Sequence, residues 1–209
     1  MEKNDLRKEI GMDDITVLNF GTLIKQLAEP TINNFSDDEV ESFVKLLKRV
    51  EYKIGEFFST PEAPNPSIAY IAKGLFRLYQ IGKDGNDVTH DFTGDGMFLS
   101  SYSAITLDVI SPVYVQALET SEIYAISRDE FILYWENDIR WKNVLQKYTE
   151  YDCLELRYRE MELLLYDAPA RYKHFLEYFK KYENRIQQKY IASYLGISPE
   201  TLSRIRNMT

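Results

Sequence analysis

Cysteine is nearly missing from these 209 residues: Cys153 stands alone. An internal disulfide is therefore excluded, as is a zinc or iron–sulfur site built from cysteines only. On a helix, Cys153 is expected to be a buried, inert thiol that could pair only between chains. Histidine is scarce too. His90 and His174 are the two present, far apart in the chain. A metal-dependent barrel enzyme needs several His or carboxylate ligands converging, so neither an enzyme nor a metal site is expected. His90 reads as an ordinary strand side chain and His174 as one facing solvent or phosphate. No apolar run approaches the roughly 18 residues of a membrane span. The opening MEKNDLRKEIGMDD lacks the apolar core of a signal peptide. A cytoplasmic chain without a membrane partner is the expectation. A hydrophobic fraction of 44% and an aromatic fraction of 14% argue against disorder.

Positive charge is missing from much of the chain. The net charge is -8. Residues 168–209 nevertheless carry eight Lys or Arg against three Glu, net +5, and the rest carries 17 basic against 30 acidic residues, net -13. A basic tail on an acidic body is the electrostatic footprint of a nucleic-acid-binding module.

Patterning divides the chain further. Residues 1–34 read as an N-terminal helical extension, with ITVLNFGTLIKQLAE as a short helix. In NNFSDDEVESFVKLLKRVEY a helix opens at Ser36, with Glu39 completing a capping box and Val40, Phe43, Leu46 and Leu47 forming one apolar stripe. From about Lys53 to Arg128 short runs rich in β-branched and aromatic residues alternate with turn signals: EFFST, SIAYIAKG, LFRLYQI, DVTHDF, PVYVQALE and EIYAIS. Asp84-Gly85 predicts a two-residue hairpin. Such strands fit an antiparallel roll over 35–135. After Ser127 a long helical pattern runs without Gly or Pro. Val144, Tyr148, Tyr151, Leu154, Tyr158, Met161 and Leu165 recur near the 3.5-residue period of a two-helix seam. This predicts a continuous helix over 136–167 that pairs two copies of the chain. Pro169 ends it, and 168–209 form the last domain.

That domain carries QQKYIASYLGISPETLSRIR. Gln188 to Tyr194 form a short helix, and Gly196 allows it to end in the left-handed conformation. Ser198 caps a second helix, with Pro199 and Glu200 in its first turn. At 100° per residue Leu202 and Ile205 face inward, with Ser198 and Thr201 near them. Glu200, Ser203, Arg204 and Asn207 face outward. Arg204 can donate two hydrogen bonds to guanine, Glu200 can accept one from cytosine, and Ser203 and Asn207 can do either. Lys189, Arg206 and the amides beginning with Gln188 suit phosphates. The candidate DNA-binding set is thus Gln188, Lys189, Ser198, Pro199, Glu200, Thr201, Ser203, Arg204, Arg206 and Asn207, and the expected partner is double-stranded DNA. The alternative is a non-DNA protein-interaction module that keeps a vestigial helix-turn-helix.

The order of parts resembles the Crp/Fnr family of bacterial transcription regulators over about Phe35 to Asn207. IASYLGISPETLSRIR is the most specific piece, and KIGEFF with AYIAKGLFRLYQIGKDGNDVTHDFTGDGMF follows the family's sensor roll in spacing. The resemblance implies an α+β fold: an N-terminal antiparallel β-roll of cyclic-nucleotide-binding type, a long dimerisation helix, and a helix-rich, winged-helix-type helix-turn-helix domain. It implies a homodimer, contact with RNA polymerase, and base reading by the residues matching Pro199, Glu200 and Arg204. Proline at 199 replaces a side chain that often contacts a base, and the sequence stops where some members add a wing hairpin. The family's ligand segment matches FLSSYSAITLDVISPVYVQALE. Its ribose-binding Glu becomes Ser101 or Ser100, and its phosphate-binding Arg becomes Ser111 or Pro112. The candidate ligand set is Phe98, Ser100, Ser101, Tyr102, Ser111 and Tyr114. No Lys or Arg lies between Asp84 and Ser127. A buried phosphate there would lack a guanidinium. No cofactor is expected, and cyclic AMP is not the expected effector.

Overall fold

The computed structural model describes residues 35–65, 67–100 and 111–207. The expected helix at 15–29 lies outside them. Helix α1 (Asp37–Val44) starts from the capping box: Glu39 N donates to Ser36 Oγ at 3.2 Å, and Ser36 N donates to Glu39 Oε2 at 2.8 Å. The helix ends sooner than the sequence suggests. Lys48–Tyr52 is strand β1, read above as more helix. Its four leading residues are all exposed and it lies at a sheet edge, so no apolar alternation advertises it.

The remaining strands are β2 (Phe57–Ser59), β3 (Ile68–Lys73), β4 (Leu75–Ile81), β5 (Asp87–Gly94), β6 (Phe98–Leu99), β7 (Tyr114–Ala117) and β8 (Ser121–Ile126). They form two four-stranded antiparallel sheets. Sheet A has the order β1-β8-β3-β6 and sheet B the order β2-β7-β4-β5. The roll interior between them is filled by Phe58, Ala69, Ile71, Phe76, Leu99, Ala117 and Ile123. The β4–β5 turn is a five-residue loop, 82–86, rather than the expected two-residue hairpin. Gly82 N donates to Asn86 O and Gly85 N to Gly82 O, with Gly85 at φ 81°. Asp84 is drawn into capping that loop through Asn86.

Ser127 and Glu130 make a second capping box and open α2 (Arg128–Asn137). The expected unbroken helix from 136 is interrupted at Asp138, whose backbone is extended and whose carboxylate accepts from Arg140 N. Helix α3 (Ile139–Leu165) starts there. An aspartate's preference for capping outweighs continuation of the pattern. After Tyr166 and Asp167 follow α4 (Ala168–Phe179), a 3₁₀ turn (Glu183–Arg185), α5 (Gln188–Leu195) and α6 (Pro199–Arg206). Among the described residues no helix is long and apolar enough to cross a membrane.

The two outer faces of the roll are both covered. On sheet A, Tyr70 and Ile126 pack with Phe35, Val40, Phe43, Phe131, Trp141 and Leu145 of the flanking helices. On sheet B, Leu75 and Phe92 share one core with Tyr172, Phe175, Phe179, Tyr182, Ile191, Leu195, Leu202 and Ile205. The C-terminal unit thus has no core separate from the roll.

Candidate nucleic-acid interface and its joint with the roll

Helices α5 and α6 meet at Gly196, which has φ 65° and ψ 37°. That left-handed corner costs glycine little and any other residue more. Ser198 Oγ accepts from Thr201 N at 3.2 Å and caps α6, with Pro199 in the first turn. Leu202 and Ile205 are buried, while Glu200, Ser203, Arg204 and Asn207 are exposed. The outward set is therefore gathered on one accessible face. The Ser198 hydrogen bond is the main cause holding the Glu200 carboxyl below its ordinary range, so it is an anion at neutral pH. Arg204 Nη2 donates to Thr201 Oγ1 at 3.3 Å, which braces the guanidinium along the helix.

Three residues of the candidate set have other duties. Gln188 Nε2 donates to Pro199 O at 3.1 Å, tying α5 to the start of α6. Thr201 is half-buried and bonded to the cap. Arg206 is not free for phosphate. Its Nε donates to Tyr172 Oη at 3.0 Å, and its Nη2 lies 3.0 Å from Glu183 Oε1. It is a brace because it sits at the inner rim of the helix, beside a buried tyrosine. Lys189 is exposed, with its ammonium 4.7 Å from the Tyr190 ring centre.

Helix α5 rests on β5, an edge strand of sheet B. Ser193 Oγ accepts from Thr89 N at 3.0 Å and donates to Asp87 O at 3.1 Å, satisfying backbone groups the sheet leaves open. Two arginines that the sequence reading passed over fix this joint. Arg77 is 1% exposed and points from β4 toward α5. It donates to Thr89 Oγ1 at 2.8 Å and Asp87 Oδ2 at 2.5 Å, and its guanidinium lies 4.4 Å and 3.9 Å from the ring centres of Tyr79 and Tyr190. Arg185 takes Glu119 at 2.5 Å and 3.0 Å and Asp95 at 2.7 Å. Burial raises the Asp95 pKa, but the hydrogen bonds from Arg185 and Gly74 N outweigh it and lower the value on balance. Gly94 completes the fit: an added Cβ would sit 2.6 Å from the Tyr182 ring. Alternation in LFRLYQI was the available signal, since it puts Arg77 on the same face as Leu75.

His174 stays partly exposed, with Nδ1 3.4 Å from Glu162 Oε1 and its ring against Tyr166. His90 is exposed on β5, its pKa lowered mainly by desolvation. Cys153 is exposed rather than buried, because α3 has left the roll by that turn.

The candidate ligand set is not brought together. Ser101 and Tyr102 lie outside the described residues. Phe98 and Ser100 line a cavity on the outer face of sheet A. Ser111 Oγ accepts from Val113 N at 3.4 Å. Tyr114 belongs to sheet B, stacked on Tyr79 and donating to Glu62 at 2.8 Å. Strands β6 and β7 join different sheets, which separates residues that the sequence places close together.

The seam residues divide as well. Val144 and Tyr148 pack on the chain's own roll, Tyr148 with its ring 5.6 Å from that of Phe98. The Tyr151 side chain lies outside the described residues. Leu154, Tyr158, Met161 and Leu165 are 52%, 47%, 51% and 67% exposed. The reason is length: the roll covers only the first three turns of α3.

Residues 49–138 match the family model for the cyclic nucleotide-binding domain. No curated protein matches the sequence. Among solved structures, FixK2 from Bradyrhizobium japonicum is similar with a TM-score of 0.69 at 16% identity, covering 78% of this chain and 83% of that one. CLP from Xanthomonas campestris, described as a c-di-GMP-responsive global regulator, gives 0.64 at 15% identity over 81% and 89%. A protein from Eubacterium rectale, described as a putative transcriptional regulator of the Crp/Fnr family, gives 0.69 at 16% identity over 87% and 86%. The chain therefore carries a cyclic nucleotide-binding-type domain and has, as a whole, the fold of Crp/Fnr transcription regulators.

Proposed function

We propose that the chain is a cytoplasmic transcription regulator that binds operator DNA as a homodimer and does not respond to cyclic AMP. One observation carries the reading: the accessible face of α6 holds Glu200, Ser203, Arg204 and Asn207, opposite the buried Leu202 and Ile205, on a unit of net charge +5. That face offers both donors and acceptors to base edges. Two copies on a two-fold axis would read half-sites about 34 Å apart. The distal half of α3 supports pairing, since Leu154, Met161 and Leu165 leave more hydrocarbon in water than a helix end needs. Against cyclic AMP stands the want of any cation between Asp84 and Ser127, while Arg77 is committed to Asp87 on the far side of its strand.

Selection of duplexes from a random pool tests the reading. A two-fold symmetric site is expected. Arg204→Ala should weaken binding to it by about 1–3 kcal/mol and relax one base position. No sequence preference, or an unchanged affinity in the variant, would refute base reading by α6. A calorimetric dissociation constant for cyclic AMP below about 10 μM would refute independence from it. Leu154→Glu with Met161→Glu should halve the sedimenting mass.

A further inference from the structure

Helix α5 ends at the corner of the helix-turn-helix, and the last four carbonyls of a helix have no partner within it. The chain's own turn serves two of them: Gly196 N donates to Ser193 O at 3.1 Å and Ile197 N to Ala192 O at 3.0 Å. The other two are taken by arginines from outside the motif. Arg159 of α3 donates through Nη2 to Tyr194 O, and Arg171 of α4 donates through Nε to Leu195 O at 3.1 Å. Tyr194 and Leu195 are buried, so water is a poor substitute for either arginine. Two guanidinium groups also suit the negative end of the helix dipole.

Arg159 is held in place for this contact. Its guanidinium lies 3.7 Å from the Tyr194 ring centre. Glu162, one turn further along α3 and 8% exposed, has Oε2 3.6 Å from Arg159 Nη1 and Oε1 3.4 Å from Nδ1 of His174 on α4. Arg171 Nη1 donates to Tyr166 O at 2.6 Å, in the short link between α3 and α4. Leu163 closes the corner: a Cβ at Gly196 would lie 3.8 Å from its Cδ2.

Position along α3 gives this clamp its consequence. Arg159 lies between Tyr158 and Met161, in the distal half of the helix, which has left the roll and exposes apolar side chains. The joint on sheet B ties α5 to the roll. Arg159 instead ties α5 to the turns that would meet a second copy of the chain. We propose that Arg159 is a positioning residue that sets the separation of the two recognition helices in the dimer, and so the half-site spacing the dimer accepts. The inference rests on the dimeric DNA-binding reading above and adds to it the residue that fixes the spacing.

Two measurements test it. The first uses the selected duplex and versions with one base pair inserted or deleted between the half-sites. Each change shifts one half-site by about 3.4 Å and turns it by about 35°. The wild type should lose about tenfold or more in affinity, since both half-sites can no longer be met at once. Arg159→Met keeps a hydrocarbon stem over Tyr194 and removes the donor, whereas Arg159→Ala removes both. In either variant the loss should shrink to about threefold or less, with affinity for a single half-site unchanged. A loss as large as that of the wild type would overturn the proposal. So would a fall in single half-site affinity that accounts for the whole change, because Arg159 would then support the fold of α6 and not its placement.

The second measurement needs no DNA. Nitroxides are placed on the native Cys153 of α3 and, through Ser203→Cys, on α6. Labelled chains are diluted with unlabelled ones, and the distance within a chain is read by pulsed electron resonance. A single narrow distribution is expected, broadened about twofold when Arg159→Met frees α5 from α3. An unchanged width would overturn the proposal even if the duplex results agreed with it. If the wild type selects no two-fold site, the regulator reading falls, and the clamp stands or falls on the nitroxide distances alone.

Discussion

The two outer faces of the roll are covered by opposite means. Over sheet A, the helices α1, α2 and the first turns of α3 pack on one another through rings, Phe43 against Phe131, Tyr134 and Trp141, and reach the strands through Tyr148 against Phe98, while the ion pairs Lys48–Glu130 and Arg140–Glu39 stay at the partly exposed rim. Over sheet B, the C-terminal unit also brings rings, with Phe92 set among Phe175, Phe179 and Tyr194, but two arginines and three carboxylates are built into the same joint. Apolar contact is non-directional. Charge-assisted hydrogen bonds fix angle and register. The sheet B side therefore holds the C-terminal unit at a set orientation on the roll.

The sharpest way to break this contrast is at Phe92. It is fully buried and belongs to the roll, yet most of its ring contacts are in the C-terminal unit. Phe92→Ala should cost about 3–5 kcal/mol. Because the roll and the C-terminal unit share that core, both should melt earlier together, read as one transition by calorimetry. Two separated transitions in the wild type would show that the joint is not a common core.

Much of this architecture is legible in the sequence because its signals are local. The Ser36 cap, the Gly196 corner, the Ser198 cap and the inward Leu202 and Ile205 all declare themselves within a few residues. Six of the eight strands alternate visibly. What escaped depends on partners distant in the chain. Strand β1 is a strand because β8 pairs with it, not because Lys48–Tyr52 looks like one. Arg206 reads as a phosphate ligand until Tyr172 and Glu183 arrive beside it. Arg77 and Arg185 look like ordinary surface charges until sheet B meets α5. Within the candidate ligand set, Phe98 and Tyr114 fall on different sheets, because period-two alternation alone does not say which sheet a strand joins.

Arg185 offers a smaller, more selective test. It is partly exposed and engages two carboxylates, so Arg185→Ala should cost about 1–2 kcal/mol. The loss should shrink as salt is raised, since part of it is screened attraction. No such salt dependence is expected for a truncation on the other side, such as Phe43→Ala. Equal salt responses at both positions would erase the distinction between a charged joint and an apolar one.

Acid gives the finest comparison, and its sign follows from the carboxylates. Asp95 has its pKa lowered from the ordinary 3.8: burial opposes the shift, and Arg185 with Gly74 N outweighs it. A depressed folded value stabilises above the unfolded pKa and is lost as pH falls through the folded one. Glu39, on the sheet A side, is lowered from 4.5 to about 2, first by its hydrogen bond with Arg140 and then by Ser36 N. The melting-temperature gap between wild type and Asp95→Asn should therefore be constant above about pH 5 and close below 3.8. The gap for Glu39→Gln should start to narrow below 4.5 and vanish only near 2. A gap for Asp95→Asn that persists unchanged to pH 2 would mean that the loss does not follow the titration of that carboxylate between 3.8 and 2.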